Sequence, residues 1–281
     1  MEYTETENGI FIKNNDYFKP ELIFDCGQSF RFFETDGNIR TGVAFGSVIE
    51  IEKQSEGYRV TSYPSLSSDT LVSFFDLKRD YKETETALSG DSVMKSAMEF
   101  GRGIRILKQD FFEMLLTFIY SQRSSIPRIA KCVEKTAELF GKKIEYKGKV
   151  RYAFPKPEEM INADIFSLEP VKSGYRAEYI IDAVRKVNSG EINYDELKNL
   201  TYPEVKSRLL TIKGVGDKVA DCVCLFAFGF FDAFPTDTWI KKAMDSLYSV
   251  KEADIKSASW DMFGSLSGIA QQYLFYYLKH R

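Results

Sequence analysis

Histidine is almost missing. The 281 residues contain one, His280, next to last in the chain. That scarcity removes whole mechanism classes. A Ser-His-Asp or Cys-His apparatus has no base here, and a His-rich metal centre cannot be assembled. Proton transfer and nucleophilic attack must fall to Asp, Glu, Lys, Tyr or Cys. Cysteine is scarce too, at four: Cys26, Cys132, Cys222 and Cys224. No C-x-x-C pair exists, and the spacing fits neither a zinc site nor a four-cysteine iron–sulfur loop. Reduced thiols in an intracellular protein are expected, and no metal or cofactor. No run approaches the roughly 18 apolar residues a membrane span needs. The first residues, MEYTETENGI, are acidic and polar and make no signal or transit peptide. A soluble monomer, in a prokaryotic cytoplasm or nucleoid, is the expectation.

What is present is ordinary in bulk and uneven in detail. Apolar residues are 44%, charged residues 28% and aromatics 15%, the last including 23 Phe and 16 Tyr. The length suits two average domains. The net charge of −3 argues against a nucleic-acid partner only on average. Residues 1–100 hold 18 acidic and 10 basic side chains, whereas residues 101–281 hold 23 acidic and 28 basic. Such asymmetry is a hint of nucleic-acid contact, or of chance variation between domains.

The hydrophobic period changes along the chain. GVAFGSVIEIEK (42–53) and GYRVTSY (57–63) alternate apolar and polar residues, and TDGN (35–38) reads as a hairpin turn. From about residue 70 the spacing turns helical, in segments such as DFFEMLLTFIYSQ, GYRAEYIIDAVRKVNSG and SGIAQQYLFYYLKHR. The expected fold is α+β: an N-terminal antiparallel sheet domain with flanking helices over 1–95, then a larger all-α domain over 96–281.

The densest signal lies at 203–240. Gly214-Val215-Gly216 separates two amphipathic segments, which predicts a helix-hairpin-helix. Glycine permits a left-handed backbone and close approach of another chain. Free N–H groups at the second helix could hold a DNA phosphate, although a plain helix–helix turn explains the three residues alone. Lys218 falls in the first turn of that helix, where the dipole disfavours a cation. A nucleophilic lysine needs a neutral amine. Cys222 and Phe226 follow at i+4 and i+8 on the same face. Asp237, in Phe234-Pro235-Thr236-Asp237, is placed to cap the next helix and to stay ionised as it does so. The bland readings are a solvated lysine, a core stripe and a simple cap.

L-x-x-x-G-V-G-x-K-V-A-D-C, followed about twenty residues later by P-x-D, resembles the helix-hairpin-helix, Gly/Pro-rich, Asp signature of DNA glycosylases. More narrowly, the chain is similar to the eukaryotic type of 8-oxoguanine DNA glycosylase. The similarity recurs in order at Cys26-Gly27-Gln28-Ser29-Phe30-Arg31, at Phe118-Ile119-Tyr120-Ser121 through Ile126-Pro127-Arg128-Ile129, at Gly174-Tyr175-Arg176-Ala177 and at Ala270-Gln271-Gln272-Tyr273-Leu274-Phe275. It implies a bifunctional glycosylase/AP lyase acting on duplex DNA that contains 8-oxoguanine. Lys218 would attack C1′ and Asp237 would stabilise the positive charge on the sugar. The Gly27 carbonyl would accept the lesion's N7–H, Gln271 would bond the base edge, and Phe275 and Cys222 would cover its two faces, with Phe226 lining the pocket. Tyr175 would wedge into the duplex, Arg128 and Arg176 would read the orphaned cytosine, and Gly214, Val215 and Gly216 would meet a phosphate.

Six positions depart from the family pattern, among them Ser124 and Ser125, which stand where the family has Asn. Arg123 stands where the family has a gap-filling Asn, which bears on its preference for cytosine opposite the lesion. Trp239 replaces a His, Lys213 replaces a Pro and adds a possible phosphate contact, and Phe226 replaces a Met. Two other readings of the chain are a glycosylase for alkylated bases and a non-catalytic helix-hairpin-helix module. The set Gly27, Gln271 and Phe275 argues against the first, and the pair Lys218 and Asp237 against the second.

Overall fold

The computed structural model describes residues 1–281. Strands β1 (Tyr3–Thr6) and β2 (Gly9–Lys13) precede a single turn of helix, α1 (Pro20–Ile23). Strands β3 (Phe32–Asp36), β4 (Ile39–Ala44), β5 (Ser47–Gln54) and β6 (Gly57–Tyr63) follow. They form one antiparallel sheet in the order β1-β2-β6-β5-β4-β3. The period of two puts Ile10, Ile12, Ile49, Ile51 and Val60 on one buried face. Gly37 and Asn38 join β3 to β4, since Asp36 pairs with Ile39. Phe45 and Gly46 join β4 to β5, both left-handed, as a two-residue hairpin that matches strand twist requires. Helix α2 (Ser68–Phe74) is capped by Ser67 and lays Leu71, Val72 and Phe74 on this core.

The second unit is built around α5 (Phe111–Tyr120), all ten residues of which are buried. Before it come α3 (Tyr81–Leu88) and α4 (Ser92–Phe100), and after it α6 (Ile126–Phe140). Then follow α7 (Arg176–Asn188), α8 (Tyr194–Leu197), α9 (Tyr202–Leu209), α10 (Asp217–Val223), α11 (Thr238–Tyr248), α12 (Ile255–Phe263) and α13 (Ser267–His280). Helices α6, α7 and α10 pack directly on α5, and α13 packs on α4 and α11.

The helical unit also holds a strand pair that the expectation of an all-α domain did not include. A hairpin of β7 (Lys143–Tyr146) and β8 (Lys149–Tyr152) turns at Lys147 and Gly148, both left-handed. It leans on the sheet through Ile144 and Ala153 against Val43 and Val48, and through a Tyr63–Tyr146 stack at 5.7 Å. The α+β architecture stands, with this hairpin added to what would otherwise be an all-α unit.

Two buried polar side chains tie the segment 26–31 to the helical unit. Gln28 donates to the carbonyls of Ile23 at 2.9 Å and Arg105 at 2.7 Å, and accepts from the Leu107 N–H at 2.8 Å. Arg105, fully buried, donates to the Phe75 carbonyl at 2.8 Å and the Tyr17 carbonyl at 3.1 Å, and lies over the Tyr81 ring. Each bond replaces water lost on burial, so these groups specify the seam rather than merely tolerate it.

Candidate active site

The hairpin between α9 and α10 is fixed by one glycine and one buried ion cluster. Gly214 has φ +76°, and a Cβ there would stand 2.2 Å from the Tyr179 ring. Only glycine fits. Gly216 differs from the expectation: its φ is −105°, and it needs no left-handed freedom. It caps α10, and no atom lies within 4 Å of where its Cβ would be. Lys206, only 8% exposed, lies 2.8 Å from both Asp217 and Asp221. Tyr202 donates to Asp221 at 2.6 Å. The cluster joins α9 to the first two turns of α10, the helix that carries Lys218.

Lys218 is half-buried and donates to Ser121 Oγ at 2.8 Å. Its amine lies 5.1 Å from the centre of the Phe118 ring. Cys222, one turn on, is buried, and burial pushes its thiol up to about 12 against the opposing Lys218 charge. It is therefore a neutral, polarisable wall and not a nucleophile at neutral pH. Asp237 caps α11 as expected, accepting the Ile240 N–H at 2.9 Å. Its capping hydrogen bond is not the largest influence on its carboxyl. Burial raises its carboxyl above the ordinary value and outweighs the lowering by the Ile240 N–H and the Lys218 charge.

Phe226 does not continue a regular helix. Residues Cys224–Phe228 form a π-helical turn. The wider turn gives the Phe226 carbonyl to the Gln109 N–H at 2.7 Å. The ring stacks on Phe118, centroids 5.4 Å apart and planes 16° apart. Phe118 also meets Phe30 edge-on at 6.4 Å. It is thus the common neighbour of the amine, of the π turn and of the segment that holds Gly27.

Gly27 has φ +75°, and a Cβ on it would stand 3.2 Å from the Phe275 ring. Phe275 and Gln271 lie one turn apart on α13 and are 8% and 3% exposed. Gln271 Oε1 accepts from Gln272 Nε2 at 2.8 Å. Asp25, two residues before Gly27, holds the end of α13: Lys279 donates to its carbonyl at 3.1 Å.

The residues expected on DNA divide into two kinds. Tyr175 is 51% exposed and meets Tyr179 edge-on at 5.7 Å. The expected wedge therefore rests on the ring that fills the space beside Gly214. Arg123 and Arg128 are exposed, the latter donating to the Lys172 carbonyl at 3.3 Å. Trp239 is 40% exposed, with the Lys242 amine 5.8 Å from its ring centre. Val215 is buried at the hairpin. Lys213 is exposed but paired with Glu178 at 2.5 Å. Arg176 is not a free reader of bases. It is 5% exposed and donates to the carbonyls of Gln122 at 2.9 Å, Arg123 at 3.2 Å and Ser173 at 3.1 Å. It is a strut for the turn at 121–125, in which Arg123 has φ +46°.

Some residues that build this site were given no role by the sequence. Phe118 and Ser121 lie in a motif segment but meet Phe226 and Lys218 only through the fold, and Gln109 lies outside every motif. The Lys206–Asp221 ion pair was likewise not anticipated from the sequence. All four cysteines are free and buried. No three His, Cys, Asp or Glu side chains cluster closely enough to hold a metal ion, and no helix is long and apolar enough to cross a membrane.

Residues 10–115 match the family model for the 8-oxoguanine DNA glycosylase N-terminal domain. Residues 116–261 match that for the HhH-GPD superfamily of base excision DNA repair proteins. The chain is similar to MBOgg1, solved in complex with a low-affinity DNA ligand: 42% identity, TM-score 0.94, 99% of each chain covered. It is also similar to the Clostridium acetobutylicum 8-oxoguanine glycosylase/lyase, solved with double-stranded DNA containing cytosine opposite 8-oxoG. There the identity is 40% and the TM-score 0.93, over 99% of this chain and 98% of that one. A probable N-glycosylase/DNA lyase of Methanothermobacter thermautotrophicus is 28% identical over 255 residues, 81% of each chain. The chain belongs to the 8-oxoguanine DNA glycosylase family, within the HhH-GPD superfamily of base excision repair proteins.

Proposed function

We propose that the chain is a bifunctional DNA glycosylase and AP lyase that removes 8-oxoguanine, chiefly opposite cytosine, from duplex DNA. One observation carries this: a half-buried lysine amine stands on the α10 hairpin beside a buried thiol and a capped, half-buried carboxylate, in a chain of this family. After the nucleotide leaves the stack, the Lys218 nitrogen lone pair forms a bond to C1′. The N-glycosidic bond breaks, and the purine departs with the bonding pair and takes up a proton. Asp237 stabilises the positive charge that builds on the sugar. Loss of a proton from the nitrogen and opening of the ring give a Schiff base. Removal of a 2′ proton then expels the 3′ phosphate by β-elimination.

Selection of the lesion follows from Gly27. 8-Oxoguanine has an N7–H donor where guanine has a lone pair. A backbone carbonyl beside Gly27 satisfies the first and repels the second, and a missing hydrogen bond in a closed site costs orders of magnitude. Phe275 and Cys222 enclose the base, and Gln271 meets its edge after releasing Gln272. Tyr175 and Arg123 occupy the vacated stack, and Arg128 faces the base opposite. Arg176 acts through the carbonyls it holds. The place of action is wherever genomic DNA lies, which for this chain we take to be a prokaryotic cytoplasm or nucleoid.

The test is borohydride trapping on duplexes with 8-oxoguanine opposite each of the four bases. Wild type should give a covalent adduct, strongest opposite cytosine, and Lys218→Gln should give none. No adduct from wild type, or an undiminished one from Lys218→Gln, overturns the reading.

A further inference from the structure

Beyond the residues already placed on DNA lies an open cleft of about 500 Å³ between α6 and the 3-10 turn Glu169–Val171. Four of its lining residues are cations: Arg128, Lys131, Lys135 and Lys172. None of the lining residues is acidic. Arg128, Lys131 and Lys135 stand at i, i+3 and i+7, so they share one face of α6. At 1.5 Å per residue the row runs about 10 Å, roughly three base steps of one DNA strand. Lys172 closes the cleft from the other side, its carbonyl accepting from Arg128 at 3.3 Å.

Two features separate this row from an ordinary solvated face. Lys172 has φ +57°, a backbone state that a lysine adopts only at a cost. The turn fixes Lys172 at the side of the cleft opposite the α6 row. The row is also continuous with the proposed DNA face, because Tyr175 follows Lys172 by three residues and Arg128 belongs to both. The counter-charge is small. Lys135 meets Glu138 at 3.0 Å, an exposed pair that water largely screens. Glu134 is turned to Arg31 at 2.7 Å.

We propose that Lys131, Lys135 and Lys172 form a phosphate-binding cleft for the DNA strand opposite the lesion, flanking the orphaned base. The strand assignment rests on the reading of Arg128 given above; the phosphate chemistry does not. The cleft anchors the undamaged strand while the lesion strand is pulled into the pocket. Its contacts are to backbone phosphates, so they add affinity without choosing sequence.

The experiment measures the salt dependence of binding to an 8-oxoguanine·cytosine duplex by fluorescence anisotropy. In Lys131→Gln/Lys135→Gln/Lys172→Asn the slope of log K against log salt should flatten by about 0.9 per cation removed, about 2.7 in all. The affinity lost between 50 and 200 mM salt would then be about 40-fold smaller than in wild type. The Lys131→Arg/Lys135→Arg/Lys172→Arg variant should keep the wild-type slope, which separates lost charge from lost fold. Neutral methylphosphonate linkages within three nucleotides of the orphaned base should flatten the wild-type slope and leave that of the Gln/Asn variant unchanged. The same linkages on the lesion strand should affect both proteins alike. An unchanged slope in the Gln/Asn variant overturns the cleft, and a variant still sensitive to opposite-strand linkages overturns the strand assignment. Failure of wild type to excise 8-oxoguanine would overturn the functional reading alone, since the slopes are read from binding.

Discussion

Gly27→Ala probes the lesion pocket with its own internal control. The substitution adds one methyl group and meets two penalties. The backbone has φ +75°, where an L side chain costs about 1 kcal/mol. The new Cβ would also stand 3.2 Å from Cε1 and Cζ of Phe275, so the ring or the loop must give by a few tenths of an ångström. Gly46, in the β4–β5 turn, isolates the first penalty: its φ is +74° and nothing lies within 4 Å of its Cβ position. Gly46→Ala should therefore lose about 1 kcal/mol of stability, a fall of roughly 2–4 °C in Tm, and excise 8-oxoguanine at the wild-type rate. Gly27→Ala should lose that and more, because Phe275 is buried and its neighbours must move with it. The displaced carbonyl and ring should lower single-turnover excision about tenfold, well short of the roughly hundredfold cost of a full ångström of misplacement. Gly27→Ala/Phe275→Leu should recover part of the stability and none of the lesion selectivity. If Gly27→Ala and Gly46→Ala match in Tm and in excision rate, the contact with Phe275 does not shape the pocket and the reasoning fails.

Three further outcomes follow from the polar groups around the site. Asp237 must be ionised to stabilise the sugar cation, and burial raises its carboxyl, so excision should fall on acidification at a pH above the ordinary aspartate value of about 3.9. A pH–rate profile with its acid limb at or below that value would contradict this, and Asp237→Asn should be slow at every pH. Lys206→Met removes the cation between Asp217 and Asp221 and leaves Asp221, 8% exposed, with Tyr202 as its remaining side-chain partner, at a cost on the order of 3 kcal/mol by urea unfolding. Lys206→Met/Asp221→Asn should regain part of that loss. Burial, against the Arg31 charge at 3.8 Å, pushes the carboxyl of Glu113 up to about 8. The folded state therefore holds a proton that the unfolded chain has released above about pH 4.3, and stability declines as pH rises from there to about 8, by on the order of 2–4 kcal/mol. Glu113→Gln should flatten that decline in Tm between pH 5 and 8.5, and equal slopes in the two proteins would refute the assignment.

What could be read from the chain was whatever is local. Gly214-Val215-Gly216, the cap at Asp237 and the alternation in β5 and β6 are set by neighbours within a few residues, and the structure has them in those places. Lys218 was legible because a cation in a helix's first turn contradicts local preference, and such conflicts mark functional positions. What could not be read depends on partners far away in sequence. Ser121 meets Lys218 across 97 residues, and Gln28 meets Arg105 across 77. The β7–β8 hairpin hid because Lys147-Gly148 lacks the Asn-Gly signature, although its strand pattern is short and regular. The π turn at Cys224–Phe228 was invisible because its apolar run satisfies either helix type. Burial sets the direction in which the Asp237 carboxyl shifts, and burial is a property of the fold rather than of the FPTD segment.

The turn at 121–125 links the proposed nucleophile to the side chains proposed to face DNA. Ser121 Oγ holds the Lys218 amine, and the next two carbonyls, of Gln122 and Arg123, are held by the buried Arg176. Arg176 in turn lies 4.6 Å from the centre of the Tyr175 ring. One covalent turn therefore touches the proposed nucleophile at its first residue and the proposed gap-filling side chain at its third. The φ of +46° at Arg123 lies between two carbonyls, of Gln122 and Arg123, that the Arg176 guanidinium holds. A stacked duplex that pushes on Tyr175 or Arg123 pushes on the same backbone that positions Ser121.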